Sequence, residues 1–317
     1  MRHYFIVNPH SGPQDCTSQV QQALSGFQGQ FDYEIFVTRQ PGDATRFVRE
    51  KCEVSHEPVR FYACGGDGTL NEVVNGAALQ PHAAVGCFPC GSGNDFVKYY
   101  GGKDYFTDAG ALMAAPVQKI DVIRVNGMYA VNVINFGFES VAAHRMARFR
   151  RYKLFKGQRA YYPAIVMTLF DGMRHHCRIT ADDELMFDDE LLLCSAANAE
   201  YVGGSFRCAP LASVCDGLLD VCLVRTLSIL KVPKAIGIYR RGGHLDSEYL
   251  KPYVVYRRAK KIKVEAEKDF LMSLDGEIIS AKKFLIENIP GGLNFIVPHG
   301  AVHAGDESLS CNQEQAV

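Results

Sequence analysis

The residues best suited by type to do chemistry are carboxylates set among glycines. Gly65-Gly66-Asp67-Gly68-Thr69-Leu70-Asn71-Glu72 follows an apolar run at 59–64 and leads into Leu70, Val73, Val74, Ala77 and Ala78 at helical spacing. Thr69, with Glu72 three residues on, has the capping-box pattern, which predicts a helix starting at Thr69. Glycines allow positive φ and close backbone approach, and a helix N-terminus offers N–H groups and partial positive charge, so this turn suits the phosphates of a nucleotide. A carboxylate beside a phosphate is repelled unless a cation lies between them, so Asp67 is expected to face Mg²⁺. The same spacing also fits a plain strand-to-helix turn capped by Asp67. Cys87-Phe88-Pro89-Cys90 has the form of a redox or zinc pair, yet no second pair matches it and its flanks read as a strand entering a loop. The eleven cysteines are expected to be reduced thiols, with Cys64, Cys194 and Cys222 as small core residues.

Such a turn needs a sheet to hold it. Tyr4, Phe5, Ile6 and Val7 read as a strand that stops at Asn8-Pro9-His10-Ser11-Gly12, and a helix is expected over 16–24. A second strand over 31–37 ends at Thr38, a helix opens at Gly42-Asp43-Ala44, and a fourth strand follows the glycine turn at 83–88. Alternating strands and helices imply a parallel, doubly wound sheet, a Rossmann-like α/β domain. Ligands of such sheets bind beyond the carboxyl ends of the strands. Residues 8–12, Thr38, 65–69 and 91–95 all fall there, and this convergence carries more weight than one glycine motif.

After Pro116 the pattern changes. Two alternating runs, 120–125 and 128–134, flank Asn126-Gly127, a two-residue hairpin turn. A helical stretch is expected over 139–170, then strands near 177–180, 185–196, 218–224, 261–274 and 283–287, giving a β-sandwich with helical insertions. The expected division is an α/β domain over 1–118, a β-rich domain over 119–298 and a loose polar tail over 299–317. A chain of 317 residues with 47% hydrophobic content supports two ordinary cores. A formal charge of −1 argues against a general nucleic-acid binder. No apolar stretch approaches the length of a membrane span and the N-terminus does not read as a signal peptide, so the expected location is cytoplasmic.

Taken together these residues resemble the diacylglycerol-kinase catalytic-domain family, which includes soluble bacterial lipid kinases. Residues 65–72 look like its glycine signature, and Gly91-Ser92-Gly93-Asn94-Asp95-Phe96 resembles its Gly-Thr/Ser-x-Asn-Asp-Phe, with Ser92 at the threonine position. Residues 8–12 resemble its Asn-Pro-x-Ser-Gly loop, although the lysine that some members carry next is Pro13 here. A phosphate-neutralising cation must therefore come from elsewhere. The segment 209–220 is similar to the family's Ala-Pro-x-Ala-x-x-x-Asp-Gly-x-Leu-Asp, and Leu274-Asp275-Gly276-Glu277 to its late Asp-Gly-Glu.

What the resemblance implies is an ATP-dependent lipid kinase acting on the hydroxyl of a lipid alcohol, diacylglycerol or a related lipid, in phospholipid biosynthesis. ATP is expected over Asn8, Pro9, His10, Ser11, Gly12, Thr38, Gly65, Gly66, Asp67, Gly68, Thr69, Leu70, Asn71 and Ser92. Asp67 faces the catalytic Mg²⁺, with Asp95 and Asp121 completing an acidic network. A structural Mg²⁺ is implied at Asp216 with the carbonyls of Ser213 and Leu218. In-line phosphoryl transfer needs a carboxylate to receive the hydroxyl proton, and Asp275 is favoured over Glu277. The rivals are an NAD kinase or another small-molecule kinase of the superfamily, and a non-catalytic lipid- or nucleotide-binding protein. The late Asp-Gly-Glu and the Asp216 segment speak against the first, and the intact Asp67, Asp95, Asp121 and Asp275 against the second. The basic, aromatic stretch 144–159 contains no acid and reads either as a segment that docks at the inner membrane face, preferring anionic vesicles over neutral ones in flotation, or as a solvated helix balanced by the acids of 182–184 and 188–190. No nucleic-acid partner is expected, and a homodimer is left open.

Overall fold

The computed structural model describes residues 1–12, 15–138, 140, 141 and 175–303. The helical expectation for 139–170, the basic stretch 144–159 and Pro13 thus lie almost wholly outside the described residues.

Four strands, β1 (Arg2–Val7), β2 (Tyr33–Val37), β3 (Val59–Gly65) and β4 (Ala83–Pro89), form a parallel sheet in the order β2, β1, β3, β4. Phe5, Ile6, Phe61, Tyr62 and Val85 are fully buried in it. A parallel strand covered on both faces reads as a continuous apolar run, which is why these strands show no polar alternation. Helices α1 (Cys16–Leu24), α2 (Asp43–Val54) and α3 (Asp67–Ala77) make the crossovers. The chain winds outward from β1 to β2, then returns past β1 to β3 and β4. The reversal falls between β1 and β3, where such sheets leave a crevice at their carboxyl ends.

Helix α3 begins at Asp67, two residues earlier than its sequence pattern suggests, with Gly66 at the N-cap. The expected capping box does not form, because both its members have partners elsewhere. Glu72 Oε2 accepts the Ala44 N–H at 3.1 Å, capping α2 instead, and Thr69 Oγ1 accepts from Asn8 Nδ2 at 3.3 Å.

After a short helix, α4 (Ala109–Ala114), the β-rich half starts with β5 (Val117–Val125) and β6 (Met128–Ala130), paired Val125 to Met128 around the expected Asn126-Gly127 turn. Both turn residues have positive φ, +47° and +89°, as a type I′ turn requires. The second run does not continue as one strand. It breaks at Val131 and Asn132, whose N–H groups turn to the Asp275 carboxylate, before β7 (Val133–Gly137) resumes. The remaining strands are β8 (His175–Ala181), β9 (Glu184–Ala197), β10 (Tyr201–Val202), β11 (Phe206–Arg207), β12 (Leu219–Arg225), β13 (Val254–Ala259), β14 (Lys261–Leu274) and β15 (Glu277–Ile296). Helix α5 (Val232–Arg240) covers one side. One core gathers Ile123, Ile134, Phe136, Leu191, Met272 and Phe284, and another, under α5, gathers Leu192, Val224 and Tyr239.

The two halves are not separable at residue 118. Strand β15 runs back to the first sheet, where Asn294 and Phe295 pair in parallel with Ala84 and Val85, and Leu293, Phe295 and Ile296 enter the first core. Part of the expected loose tail is also docked: Ala301 is buried, and the His303 ring stacks on Tyr99 at 4.2 Å with its Nε2 3.0 Å from Glu200 Oε1. Residues 304–317 lie outside the described residues.

Candidate active site

Three loops meet at the carboxyl ends of β1, β3 and β4. Asn8 N–H donates to the Cys64 carbonyl at 3.0 Å, and the N–H groups of Cys90 and Gly91 both donate to the Gly65 carbonyl, at 2.9 and 3.0 Å. The loop after β1 is turned by the His10 N–H donating to Asn8 Oδ1 at 3.0 Å. Gly12 has φ +81° and faces the Cys90 carbonyl oxygen, so a side chain there meets both strain and a clash. Gly65 leaves room for Thr69 Oγ1 and Ser11 Oγ, and Gly66 touches Gly91. Pro9, His10, Ser11 and Ser92 lie at the open rim with Gly66 and Gly68. Thr38, at the end of β2, donates from its N–H and hydroxyl to the Val7 carbonyl, at 2.9 and 3.3 Å. Leu70 points into the core with its N–H donated to the Gly66 carbonyl at 3.1 Å, and Asn71 donates to the Tyr129 carbonyl at 3.0 Å and bonds the Asp275 carboxylate. The N-terminus of α3 is thus ringed by glycine backbone, an arrangement that accepts phosphate.

Against this end of α3 stands a cluster of carboxylates. Asp67 Oδ1 accepts the Asp95 N–H at 2.6 Å, and Asp67 Oδ2 fills the space that a side chain at Gly93 would need. Burial, then the Asp95 charge, and then Asp275 push the Asp67 carboxyl up to about 6, while Lys98 opposes them. Asp95 takes the Gly204 N–H on both oxygens at 3.0 Å and pairs with Lys98 Nζ, which also donates to the Gly204 carbonyl at 2.7 Å. Lys98 and the Gly203-Gly204 hairpin tip between β10 and β11 were not signalled by any motif. They are visible only once the second half folds over the first. Lys98 places a cation beside this acidic end.

Asp275 and Glu277 come to the same place from the turn joining β14 and β15. Asp275, at φ +47°, receives the N–H groups of Val131 at 2.8 Å, Asn132 at 3.1 Å and Val133 at 2.9 Å. Burial raises its carboxyl to about 6 even so. Glu277 has no such engagement in its turn. Its Oε1 lies 3.5 Å from where a Gly68 side chain would begin, against the first turn of α3, and burial followed by the Glu72 charge raises its pKa.

Asp121 and Asp216 are engaged outside this cluster. Asp121 is not among the charges acting on Asp67; its oxygens accept the N–H groups of Gly291 at 2.9 Å and Gly217 at 2.7 Å, lashing β5 to two bends of the β-rich half. Asp216 Oδ2 pairs with Arg258, Oδ1 accepts the Leu218 N–H at 2.9 Å, and the Leu218 carbonyl accepts from Asn288 at 3.0 Å. Among the described residues no three acidic, histidine or cysteine side chains come close enough to hold a metal alone. Asp67 and Asp95 do fit a shared ion: Mg²⁺ binds through one or two carboxylates completed by phosphate and water, and the single cation Lys98 leaves one of the two carboxylates for it to balance. The cysteines also need revision, since Cys16 and Cys90 are joined as a disulfide and Cys215 is disulfide-bonded, while Cys64, Cys194 and Cys222 are buried thiols.

Two family models match the chain. The diacylglycerol kinase catalytic domain matches residues 2–125, and the YegS C-terminal NAD kinase beta sandwich-like domain matches 132–297. A diacylglycerol kinase of Bacillus subtilis (strain 168) is 29% identical over 280 residues, 87% of this chain and 89% of its own. A proposed YegS-like lipid kinase of Alcanivorax borkumensis is 27% identical over 293 residues, 91% and 95% of the two chains. The crystal structure of a proposed diacylglycerol kinase from Bacillus anthracis superposes with a TM-score of 0.75 at 26% identity, covering 95% of this chain and 98% of that one.

Proposed function

Because the chain belongs to the family of the diacylglycerol kinase catalytic domain, whose relatives mark it as a lipid kinase-type transferase, we propose that it moves the γ-phosphoryl group of ATP to the hydroxyl of a lipid alcohol, diacylglycerol or a near relative. The observation that carries this reading is the meeting of two carboxylate groups at the N-terminus of α3: Asp67 and Asp95 from the first domain and Glu277 from the second. ATP lies with its phosphates on the glycine backbone of 8–12, 65–68 and 91–93. Lys98 compensates negative charge at that end, and Asp67 with Asp95 hold Mg²⁺, which supplies charge neutralisation on the phosphates when bound.

Glu277 is the residue we assign to take the hydroxyl proton. A carboxylate already receiving three N–H groups has little lone-pair density left for a substrate proton, and that describes Asp275. Glu277 reaches the same rim with its oxygens uncommitted in the turn, and since burial raises both carboxyls, it is this freedom that makes it the better placed proton acceptor. Asp275 is then a positioning residue. It gathers the 131–133 backbone and so fixes the turn from which Glu277 projects. The test is incubation with labelled ATP, Mg²⁺ and a panel of lipid alcohols in detergent. Label in one lipid class supports the reading, and no label in any lipid defeats it.

A further inference from the structure

The one covalent cross-link between described residues lies inside the nucleotide loops. Cys16 is the first residue of α1, directly after the loop at 8–12, and Cys90 opens the loop after β4. Their Cα atoms are 6.0 Å apart, and the bond reaches across the end of β3, since the strand order is β4, β3, β1. The two segments it ties, after β1 and after β4, flank the α3 N-terminus on either side of the loop after β3. Resting on the reading of that end as the ATP site, we propose that Cys16 and Cys90 form a reversible dithiol–disulfide modification site that governs nucleotide binding.

The geometry indicates the direction of control. In the cross-linked chain the loops are in contact: a side-chain carbon on Gly91 would lie 2.5 Å from the Gly66 Cα, and Gly12 sits against the Cys90 carbonyl. A triphosphate lying over these glycines takes N–H groups from separate loops, and a covalent tie limits how far those loops can adjust to it. In the dithiol form hydrogen bonds, such as those to the Gly65 and Cys64 carbonyls and from Asn8 to Thr69, link the loops, and such bonds stretch or exchange where a covalent bond does not. The disulfide form is therefore the weak ATP binder.

The sulfurs are suited to exchange. Cys90 is half-buried at the rim, whereas Cys16 is fully buried in the first turn of α1, where the helix end favours thiolate. Cys87, the other cysteine of the C-x-x-C, is a buried thiol whose pKa burial drives far up, and it is inert. With a disulfide of the glutathione class as oxidant, Cys90 thiolate attacks one sulfur and releases one thiol. Cys16 thiolate then displaces the second thiol from Cys90. One protein S–S bond forms, the oxidant's S–S bond breaks, and the two protein protons end on the two released thiols.

The experiment compares the full-length protein equilibrated with glutathione disulfide and with dithiothreitol. Peptide mapping identifies the linked species, calorimetry with Mg-ATP measures affinity and the lipid assay measures KM for ATP. The expected result is a 16–90 linked peptide and ATP affinity weakened on the order of tenfold, within the usual range of coupling between sites. Dithiothreitol restores it, and Cys16→Ser binds ATP as the reduced protein does in either buffer. Failure of 16–90 to link at any glutathione ratio overturns the proposal. So does equal ATP affinity of the linked and reduced forms, a result that needs no variant to fold. If calorimetry shows the redox effect while no lipid is labelled under reduction, the modification site stands and the lipid-kinase reading falls.

Discussion

At the residue scale, the division of labour between Asp275 and Glu277 turns on hydrogen bonds that no motif records. The late Asp-Gly-Glu placed a carboxylate opposite the nucleotide, but which of its two acids was uncommitted depended on a break in the strand 128–134. That break exists because the Asp275 side chain draws three N–H groups out of the ladder. Glu277→Gln is therefore expected to lower turnover by about 10²- to 10⁴-fold with ATP affinity nearly unchanged, the range of a lost general base. Asp275→Asn should instead lower thermal stability as well as turnover, because an amide accepts fewer of those hydrogen bonds. A Glu277→Gln variant with near-native turnover would move the base elsewhere.

The raised pKa of Asp67 sets a second residue-scale expectation. An acid whose carboxyl titrates at about 6 when folded and near its ordinary value when unfolded binds more protons in the native state. Its contribution is fully present below the unfolded value and is lost as pH rises through about 6. In the absence of Mg²⁺, Asp67→Asn should gain stability over the parent between pH 5 and pH 7, on the order of 2–3 kcal/mol at the upper end. Comparing variant with parent cancels the buried His3 and His244, which titrate in the opposite sense. Melting curves across this window check it, and parallel curves would contradict it.

At the scale of elements, the order β2, β1, β3, β4 and the glycine loops were legible, because strands buried on both faces and helices at 3.6-residue spacing write themselves into the apolar pattern. Long-range pairings were not. The Glu72 cap on α2, the Gly204 clasp on Asp95 and the return of β15 to β4 each join residues far apart in the chain, where local pattern carries no signal. The same holds for Asp216, whose partner Arg258 comes from β13, a strand the sequence did not announce. Asp216→Ala should therefore keep the parent's melting response to Mg²⁺ while chelation abolishes turnover, and a response lost in Asp216→Ala but kept in Asp67→Asn would restore a structural metal at 213–218. Gly12→Ala tests the loop itself. With φ +81° and a carbonyl oxygen in the way, it should weaken ATP binding at least tenfold by displacing Cys90, the range expected for 1–3 kcal/mol of backbone strain. Unaltered ATP affinity would remove the loop at 8–12 from the nucleotide site.

At the scale of the whole molecule, one sheet path runs from β13 through β14 and β15 to β2, so the acids of the second half are held by the same sheet that holds the phosphate loops. Among the described residues no helix is long and apolar enough to cross a membrane. The measurement that bears most directly on the account is a competition. The reduced protein is given labelled ATP and Mg²⁺ with diacylglycerol in mixed micelles and NAD in the same tube, and the organic and aqueous phases are counted separately. The account predicts label in the organic phase, dependent on Asp67 and Glu277. Label appearing in NAD with none in lipid would contradict it.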